Sequence, residues 1–282
     1  MQHISSALEL QQRILAARRQ GETIGLVPTM GYLHEGHLEL MRRARRQTDL
    51  VVVSIFVNPI QFGPNEDLER YPRDLAGDLA KCQAIGADLI FTPTPAELYP
   101  EGFQTSVEVK EITTGLCGAG RPGHFAGVTT VVAKLFNLAL PDYAYFGEKD
   151  YQQLAVIRRM VADLNFPLEI VGVPIVREAD GLAMSSRNAY LPKEERRQAP
   201  AIHQALQRAA ELYAAGERES AALRRAATEL LEGDFTVPFE IEYLKICAAD
   251  DLEEISGTIE RPAVILTAVH LGGTRLIDNL QL

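Results

Sequence analysis

The sequence contains no tryptophan and only three cysteines among its 282 residues. Cys82, Cys117 and Cys247 lie far apart, which indicates a reducing compartment and no structural disulfide framework. No apolar run approaches the roughly 20 residues that span a bilayer. The N-terminus also lacks an apolar stretch of the kind found in signal peptides. We therefore expect a cytoplasmic protein without a membrane partner.

Basic residues are fewer than acidic ones, with 28 Lys and Arg against 38 Asp and Glu and a formal net charge of −10. Nonspecific binding to nucleic acid needs a broad positive surface, so we expect no nucleic-acid partner. The basic run Arg42–Arg46 has no aromatic residues between its charges. We interpret it as the solvated face of a helix.

Hydrophobic residues make up 46% of the whole chain, enough for a sizeable core. Strand-like and helix-like segments alternate in the first part of the chain. Leu50–Val57 is almost wholly apolar, as is typical of a parallel strand covered on both faces. The other predicted elements are strands at Thr23–Val27, Ala87–Phe91, Tyr143–Phe146 and Leu168–Val173, a strand outside the main sheet at Thr105–Val109, and helices at Ser5–Arg19, Leu38–Arg46, Leu75–Ile85, Val128–Leu140 and Tyr151–Leu164. This alternation predicts an α/β fold with a Rossmann-like, doubly wound parallel sheet over residues 1–176.

The pattern changes near Val176. Helix-like segments at Lys193–Ala215 and Ser220–Glu232 are followed by strand-like segments at Phe239–Ala248, Ala263–Leu271 and Arg275–Leu280. Residues 177–282 are therefore predicted to form a second, smaller α+β domain.

The segment Pro28–His37 carries the strongest functional signal. It places His34 and His37 three residues apart, where a strand leads into a helix N-terminus. Gly31 and Gly36 allow a tight turn and leave room for a ligand. The free N–H groups and the dipole of a helix N-terminus favour an anion such as a triphosphate. An accidental surface or core pair and half of a zinc site are the alternatives, although zinc needs three or four ligands.

Four further loops follow strand-like runs or open helices. They are Phe56–Gly63, Cys117–Gly127, Phe146–Gln153 and Met184–Asn188. The glycine-rich second loop is conformationally costly unless its backbone approaches something closely. In the others, Gln61 could hydrogen-bond a small substrate, Lys149 could contact phosphate, and Arg187 beside two serines could clamp a polyphosphate. A turn, a flexible connection or a helix cap explains each loop equally well by itself. Together the five segments indicate an enzyme that uses a nucleotide or phosphate and a small polar co-substrate.

Pro28–His37 resembles the His-x-Gly-His signature of the nucleotidylyltransferase superfamily. Taken with the four further loops, the stretch from Ile24 to Leu191 resembles the pantothenate synthetase (pantoate–β-alanine ligase) family. The resemblance implies two steps. Pantoate attacks the α-phosphorus of ATP to give pantoyl adenylate and pyrophosphate, and β-alanine then attacks the acyl carbon to give pantothenate and AMP. The alternatives are a nucleotidylyltransferase that forms no amide and a noncatalytic nucleotide-binding protein.

The resemblance also implies a role for each matching residue. The implied catalytic residues are His37, His34, Lys149, Ser185 and Arg187. The implied ATP-binding residues are Met30, Gly31, Tyr32, Leu33, His34, Glu35, Gly36, His37, Gly147, Glu148, Lys149, Asp150, Val176, Met184, Ser185, Ser186 and Arg187. Gln61 is expected to hold pantoate and β-alanine and Gln153 to hold pantoate. Arg121 and His124 are expected near the phosphates and the second substrate.

The family further implies that Mg²⁺ arrives with ATP, that residues 1–176 bind ATP and pantoate, and that residues 177–282 close over the site. Asp78 is the one candidate ligand for the ion, because Gly77 stands where some members have a second acid. Cys117 stands where some members have glutamate, and no thiol chemistry is inferred from it. A homodimer is the expected assembly.

Overall fold

The computed structural model describes residues 1–64, 66–233 and 236–282. It divides into two compact units, Met1–Glu148 with Val156–Pro174 and Lys149–Ala155 with Ile175–Leu282. In chain order the elements are β1 (Gln2–Ile4), α1 (Ala7–Arg19), β2 (Ile24–Thr29), α2 (Glu35–Gln47), β3 (Leu50–Ile55), α3 (Leu75–Ile85), β4 (Leu89–Phe91), α4 (Pro95–Leu98), α5 (Cys117–Gly120), α6 (His124–Ala139), β5 (Tyr143–Gly147), α7 (Tyr151–Asp163), β6 (Glu169–Val173), α8 (Lys193–Gln198), α9 (Ala201–Ala214), α10 (Ser220–Leu231), β7 (Phe239–Ala248), β8 (Ala263–Leu271) and β9 (Thr274–Gln281).

The first unit contains a six-stranded sheet in the order β1-β4-β3-β2-β5-β6, and all of its pairings are parallel. The predicted Rossmann-like parallel sheet is thereby confirmed. From β2 the chain winds one way through β3 and β4 and the other way through β5 and β6, so the winding reverses between β2 and β5. In such sheets ligands bind outside the carboxyl ends of the strands at this switch point. The segments that follow Thr29 and Gly147 begin there.

Apolar side chains of the central strands pack against helices α2 and α3. Val27, Val51 and Val53 are fully buried and pack with Met41 of α2 and Cys82 of α3. Complete burial of a side chain of this size is worth about 1.5–3 kcal/mol. Burial also raises the pKa of the Cys82 thiol to about 12, so this cysteine behaves as a core residue.

The second unit contains the antiparallel sheet β7-β8-β9 with α9 and α10 packed against it. Its core joins Ile202 and Leu206 of α9 to Leu223 of α10 and to Ile265 and Val269 of β8. The helices α8, α9 and α10 and the antiparallel sheet confirm the α+β character predicted for this part of the chain.

Two predicted elements differ from the structure. Thr105–Val109 is not a strand, because the N–H and carbonyl of Val107 bond to the hydroxyls of Thr130 and Thr129 instead of to a neighbouring strand. The helix predicted over Lys193–Ala215 is two helices, α8 and α9, since Pro200 has no N–H to continue the first one.

The basic run on α2 is paired with acidic residues. Arg42, Arg43 and Arg46 lie within ion-pair distance of Glu39, and Arg45 donates to Asp88 with an N–O distance of 2.6 Å. These partners explain the run as part of the helix surface, as predicted from its lack of aromatic neighbours.

Candidate active site

The two histidines of the first motif form the N-terminus of α2. His34 is the N-cap residue, and its Nδ1 accepts from the Gly36 N–H at 3.2 Å. His37 Nδ1 accepts from the His34 N–H at 3.3 Å. The two rings lie 4.0 Å apart between centroids. A backbone N–H can only donate, so each neutral ring carries its proton on Nε2. The fold therefore places two imidazole N–H donors, those of His34 and His37, at the N-terminus of a helix.

The turn between β2 and α2 has an unusual backbone that a buried carboxylate stabilises. Gly31 and Tyr32 both have positive φ, at 81° and 49°. Asp78 of α3 is 1% exposed and accepts from the N–H groups of Tyr32 and Leu33, each at 2.7 Å. Lys81, one turn further along α3, donates to the Leu33 carbonyl at 2.7 Å. Left-handed backbone at a non-glycine residue is unfavourable, so these bonds hold the turn in place.

These contacts give Asp78 a structural task that the sequence did not reveal. Both carboxylate oxygens already accept backbone N–H groups, and Lys81 Nζ lies 3.9 Å from one of them. Among the residues that the structure describes, no three His, Cys, Asp or Glu side chains are grouped so that they could hold a metal ion. The role of Asp78 as a metal ligand stays a prediction, while its role as an anchor of the turn is observed.

Gln61 lies in the short helical turn after β3 and is fixed by buried polar neighbours. Its Oε1 accepts from Asn58 Nδ2 at 3.0 Å, and its Nε2 lies 3.2 Å from the sulfur of Met30. Asn58 is 1% exposed, donates also to the Gly127 carbonyl, and accepts from the Tyr99 hydroxyl at 2.8 Å. All hydrogen-bonding groups of the Asn58 amide are thus in use, and Asn58 supports Gln61. From the sequence, the Asn58-Pro59 pair could equally have been only a turn.

The glycine-rich loop meets this turn through its backbone. A Cβ at Gly127 would lie 2.5 Å from the Ile60 carbonyl oxygen and 2.6 Å from the Gln61 Cα. These distances are too short for any side chain, so glycine is required where α6 passes the turn. The close approach that the glycine content predicted for this loop is thus observed, and the object approached is the segment that carries Gln61.

His124 and Arg121 link the glycine-rich loop to Gln61. The Arg121 guanidinium pairs with Glu66 through two bonds of 2.8 and 2.6 Å, and its Nη1 lies 2.9 Å from His124 Nε2. Because arginine only donates, His124 Nε2 accepts and its Nδ1–H donates to the Gln61 carbonyl at 2.9 Å. A neutral His124 thus links the Glu66–Arg121 ion pair to the Gln61 backbone by hydrogen bonds.

Replacing Glu66 with glutamine is expected to make the free energy of unfolding depend less on pH in acid. Burial alone raises the pKa of Glu66, but the hydrogen bonds and charge of Arg121 outweigh it and hold the pKa below 4.5. The ion pair therefore stabilises the protein above pH 4.5, and this contribution is lost as the pH falls through the lowered pKa. Urea unfolding near pH 7 is expected to show a loss of about 1.5 kcal/mol, shrinking in acid. Glu69→Gln, at an exposed neighbour, is the control, and an equal effect there would contradict the assignment.

The third motif continues from the carboxyl end of β5. Gly147 and Glu148 end the first of the two stretches that make up the first unit, and Lys149 begins a segment of the second unit. Lys149 Nζ lies 3.5 Å from Asp150 Oδ1, and its side chain is 19% exposed. Gln153 lies in the first turn of α7, in the same segment of the second unit as Lys149.

The fourth motif follows a small hairpin in the second unit. Arg177 and Ala183 form an antiparallel bridge, and the Met184 N–H donates to the Val176 carbonyl at 3.0 Å. Met184 and Val176, both predicted to contact ATP, are thus brought together. Ser185 caps the following helical turn by accepting from the Arg187 N–H at 3.2 Å, and Ser186 is 7% exposed.

Three residues that the sequence analysis missed, Glu178, Asp180 and Arg196, support this segment. Asn188 Nδ2 donates to Glu178 Oε1 at 2.9 Å, and Arg196 donates to Glu178 Oε2 at 2.6 Å and to Asp180 at 2.7 Å. The signal that could have found the two acids is their spacing in Glu178-Ala179-Asp180, a few residues before the serines.

The comparisons with known proteins decide the family. A model of the family described as pantoate-beta-alanine ligase matches residues 2–281. The chain belongs to the pantoate–β-alanine ligase family. A pantothenate synthetase of Moorella thermoacetica is 54% identical over 287 residues, covering 100% of this chain and 99% of that protein.

Solved structures of the pantoate–β-alanine ligase family share the whole fold. A pantothenate synthetase of Thermus thermophilus matches with a TM-score of 0.94 and 50% identity, covering 100% of this chain and 99% of that one. The pantoate-beta-alanine ligase of Francisella tularensis, solved in complex with beta-gamma ATP and beta-alanine, matches with a TM-score of 0.81 and 31% identity over 100% and 97% of the two chains. The family predicted from the five loops is confirmed.

Two further observations bear on the expectations drawn from composition. No helix among the described residues is both long and apolar enough to cross a membrane. Cys82, Cys117 and Cys247 are buried, and no disulfide joins them within the described part of the chain. Burial raises the pKa of Cys247 to about 11, so its thiolate is disfavoured.

Proposed function

We infer that this pantoate–β-alanine ligase condenses pantoate with β-alanine, using ATP and releasing AMP and pyrophosphate. The observation that carries the proposal is the pair of imidazoles fixed at the N-terminus of α2, at the reversal of the sheet. A helix N-terminus with two further N–H donors suits a polyphosphate whose negative charge grows during reaction. The family match over residues 2–281 supports pantoate as the acyl donor and β-alanine as the amine that accepts the acyl group.

In the first step an oxygen of the pantoate carboxylate forms a bond to the α-phosphorus of ATP, and the bond from that phosphorus to the bridging oxygen breaks. Pyrophosphate leaves with the electron pair of that bond. We assign His34 and His37 to the phosphate oxygens through Nε2–H, because Nδ1 of each ring already accepts a backbone N–H. Lys149, Ser185 and Arg187 are proposed to contact the same phosphates and to stabilise the departing charge.

In the second step the amine of β-alanine attacks the acyl carbon of pantoyl adenylate, the bond to the AMP oxygen breaks, and the amine loses its proton. We propose that Gln61 holds pantoate and orients β-alanine, and that Gln153 holds pantoate. The Asn58 bond to Gln61 Oε1 leaves the amide orientation defined before substrate arrives. Arg121 and His124 are proposed to act on this site chiefly by fixing the Gln61 backbone.

The nucleotide itself is proposed to lie along the backbone of the first and third motifs and to contact the fourth. Proposed contacts are Met30, Gly31, Tyr32, Leu33, Glu35, Gly36, Gly147, Glu148, Asp150, Val176, Met184 and Ser186. At Gly36 a Cβ would lie 2.9 Å from His34 Cε1, so glycine is needed to keep that ring in place. The expected division of roles between residues 1–176 and 177–282 stays a prediction.

Mg²⁺ is proposed to enter bound to the triphosphate, with phosphate oxygens and water as its main ligands. The residues described do not supply a ready-made cluster of acidic ligands, and Asp78 is engaged with the turn. When bound, the ion neutralises charge on the phosphates. A homodimer in the cytoplasm is proposed from the family resemblance.

A coupled assay with each substrate omitted in turn tests the proposed function. Pyrophosphate release that requires pantoate, followed by AMP release that requires β-alanine, is the expected result. Pyrophosphate release without pantoate would favour a nucleotidylyltransferase, and ATP binding without any turnover would favour a noncatalytic nucleotide-binding protein.

Replacing Gln61 with alanine is expected to raise the KM for pantoate by about tenfold, which corresponds to about 1.4 kcal/mol of lost binding. The protein should keep its melting temperature, because Asn58 still donates to the Gly127 carbonyl. Steady-state kinetics with pantoate varied at saturating ATP provide the measurement. Ile60→Ala, at the 44% exposed neighbour, is the matched control. Unchanged pantoate kinetics in the Gln61 variant would count against the assignment.

A further inference from the structure

The last strand of the second unit carries two adjacent buried polar residues that no motif includes. Asp278 and Asn279 of β9 are each 4% exposed. Asp278 shares a face of the strand with Leu276 and Leu280, which pack into the core of this unit. Successive side chains of a strand project to opposite faces, so Asn279 projects to the other side. A buried polar pair in a strand needs bonding partners. The partner of Asp278 is Arg177, at the start of the hairpin that leads into Met184, and the partner of Asn279 is Lys149.

Asp278 holds the hairpin that leads into Met184. Arg177 donates to the two carboxylate oxygens of Asp278 at 2.7 and 2.9 Å, and the carboxylate is 3% exposed. The same guanidinium donates to the Gly181 carbonyl at 3.1 Å, at the turn of the hairpin, where φ is 96°. A bidentate arginine fixes orientation as well as distance. The ion pair therefore anchors both the start and the turn of the hairpin to β9.

Asn279 holds the Lys149 backbone. Its Nδ2 donates to the Lys149 carbonyl at 2.9 Å, and its own carbonyl lies 3.4 Å from Arg177 Nη2. Two segments far apart in sequence are thus attached to neighbouring residues of one strand. Because β9 pairs with β8 along its whole length, the strand is a rigid base for both.

His203 of α9 faces the same carboxylate but does not replace Arg177. Its Nδ1 is 3.8 Å from Asp278 Oδ2 and has no hydrogen-bond partner among the described residues. Burial lowers the pKa of His203, Arg177 lowers it further, and Asp278 opposes both, with a net lowering below 6.5. Arg177 is thus the cation that neutralises Asp278 at neutral pH.

We propose that Asp278 and Asn279 are positioning residues that fix Lys149 and the Met184–Arg187 segment at the spacing that phosphate contact requires. The proposal rests on the proposed function, since it takes Lys149, Ser185 and Arg187 as phosphate ligands. Neither residue touches substrate. They hold the two segments in position before substrate binds, so the reaction does not have to supply the entropy cost of ordering them.

The test compares Asn279→Ala and Asp278→Asn with Glu242→Gln in the full-length protein. Glu242 and Arg275 form a bidentate pair on β7 and β9, with bonds of 2.6 and 2.9 Å. It is therefore a matched control for loss of stability in the same sheet. We expect Asn279→Ala to lower kcat for pantoate-dependent pyrophosphate release about tenfold with the KM for pantoate unchanged, and Glu242→Gln to leave kcat near that of the wild type. A kcat loss in Asn279→Ala no greater than in Glu242→Gln would overturn the proposal.

Amide hydrogen exchange of the ligand-free proteins provides a readout that needs no turnover. Asp278→Asn is expected to speed exchange within residues 178–184 about tenfold or more, while Glu242→Gln leaves it unchanged. Equal exchange in the two variants would overturn the anchoring of the hairpin. A wild-type protein without pantoate-dependent pyrophosphate release would instead contradict the proposed function, and the exchange result would still decide the positioning. Should Asp278→Asn fail to fold, Arg177→Lys replaces it in the exchange comparison.

Discussion

Replacing His37 with asparagine is expected to slow formation of pantoyl adenylate by about a hundredfold or more while leaving the melting temperature within a few degrees of the wild type. The asparagine carboxamide oxygen can take the place of Nδ1 and still accept the His34 N–H, as His37 does at 3.3 Å. What it cannot supply is a donor at the position of Nε2. The measurement is pyrophosphate release with pantoate and without β-alanine, combined with thermal unfolding.

His37→Ala and His37→Gln complete this comparison. Alanine removes both the cap and the donor, so it should lose the same activity and also about 1 kcal/mol of stability. Glutamine is long enough to present an amide donor near the Nε2 position but not the acceptor at Nδ1, so part of the activity should return. A rate in His37→Asn within a few-fold of the wild type would show that His37 serves only as a cap of α2.

The fold was predictable because its strands are short apolar runs separated by amphipathic helices. Leu50–Ile55 is buried on both sides, and such a run fits only the centre of a parallel sheet. The position of His34 and His37 followed from the same pattern, since the carboxyl end of β2 leads directly into α2. Local sequence was sufficient wherever the contact that matters lies within one turn of a helix.

The supports of the site were not predictable, because they come from distant parts of the chain. Asp78 bonds to residues 46 and 45 positions before it. Asn279 bonds to Lys149, 130 positions away. A single sequence carries no periodicity that relates such pairs. The tautomers of His34 and His37 likewise depend on which backbone N–H groups the folded turn presents to each ring.

Replacing Asp78 with alanine is expected to lower the free energy of unfolding by about 3 kcal/mol and the adenylation rate by at least about tenfold. The substitution removes the carboxylate that accepts from the N–H groups of Tyr32 and Leu33. Asp78 is only 1% exposed, so its site is buried. Little then offsets the strain of the positive φ of 49° at Tyr32, so the turn that leads into α2 relaxes. Chemical unfolding and pantoate-dependent pyrophosphate release measure the two effects.

Asp74→Asn is the matched control for Asp78, because Asp74 caps the same helix by accepting from the Gly77 N–H at 3.0 Å. Its loss should cost at most about 1 kcal/mol of stability, with the rate unchanged. Titration with Mg²⁺ separates the anchor from the predicted metal ligand. An anchor lowers stability without changing the Mg²⁺ concentration that gives half the maximal rate. If Asp78→Ala kept its stability and needed much more Mg²⁺, the carboxylate would be acting on the ion, and the turn would depend on Lys81 and Gly31 instead.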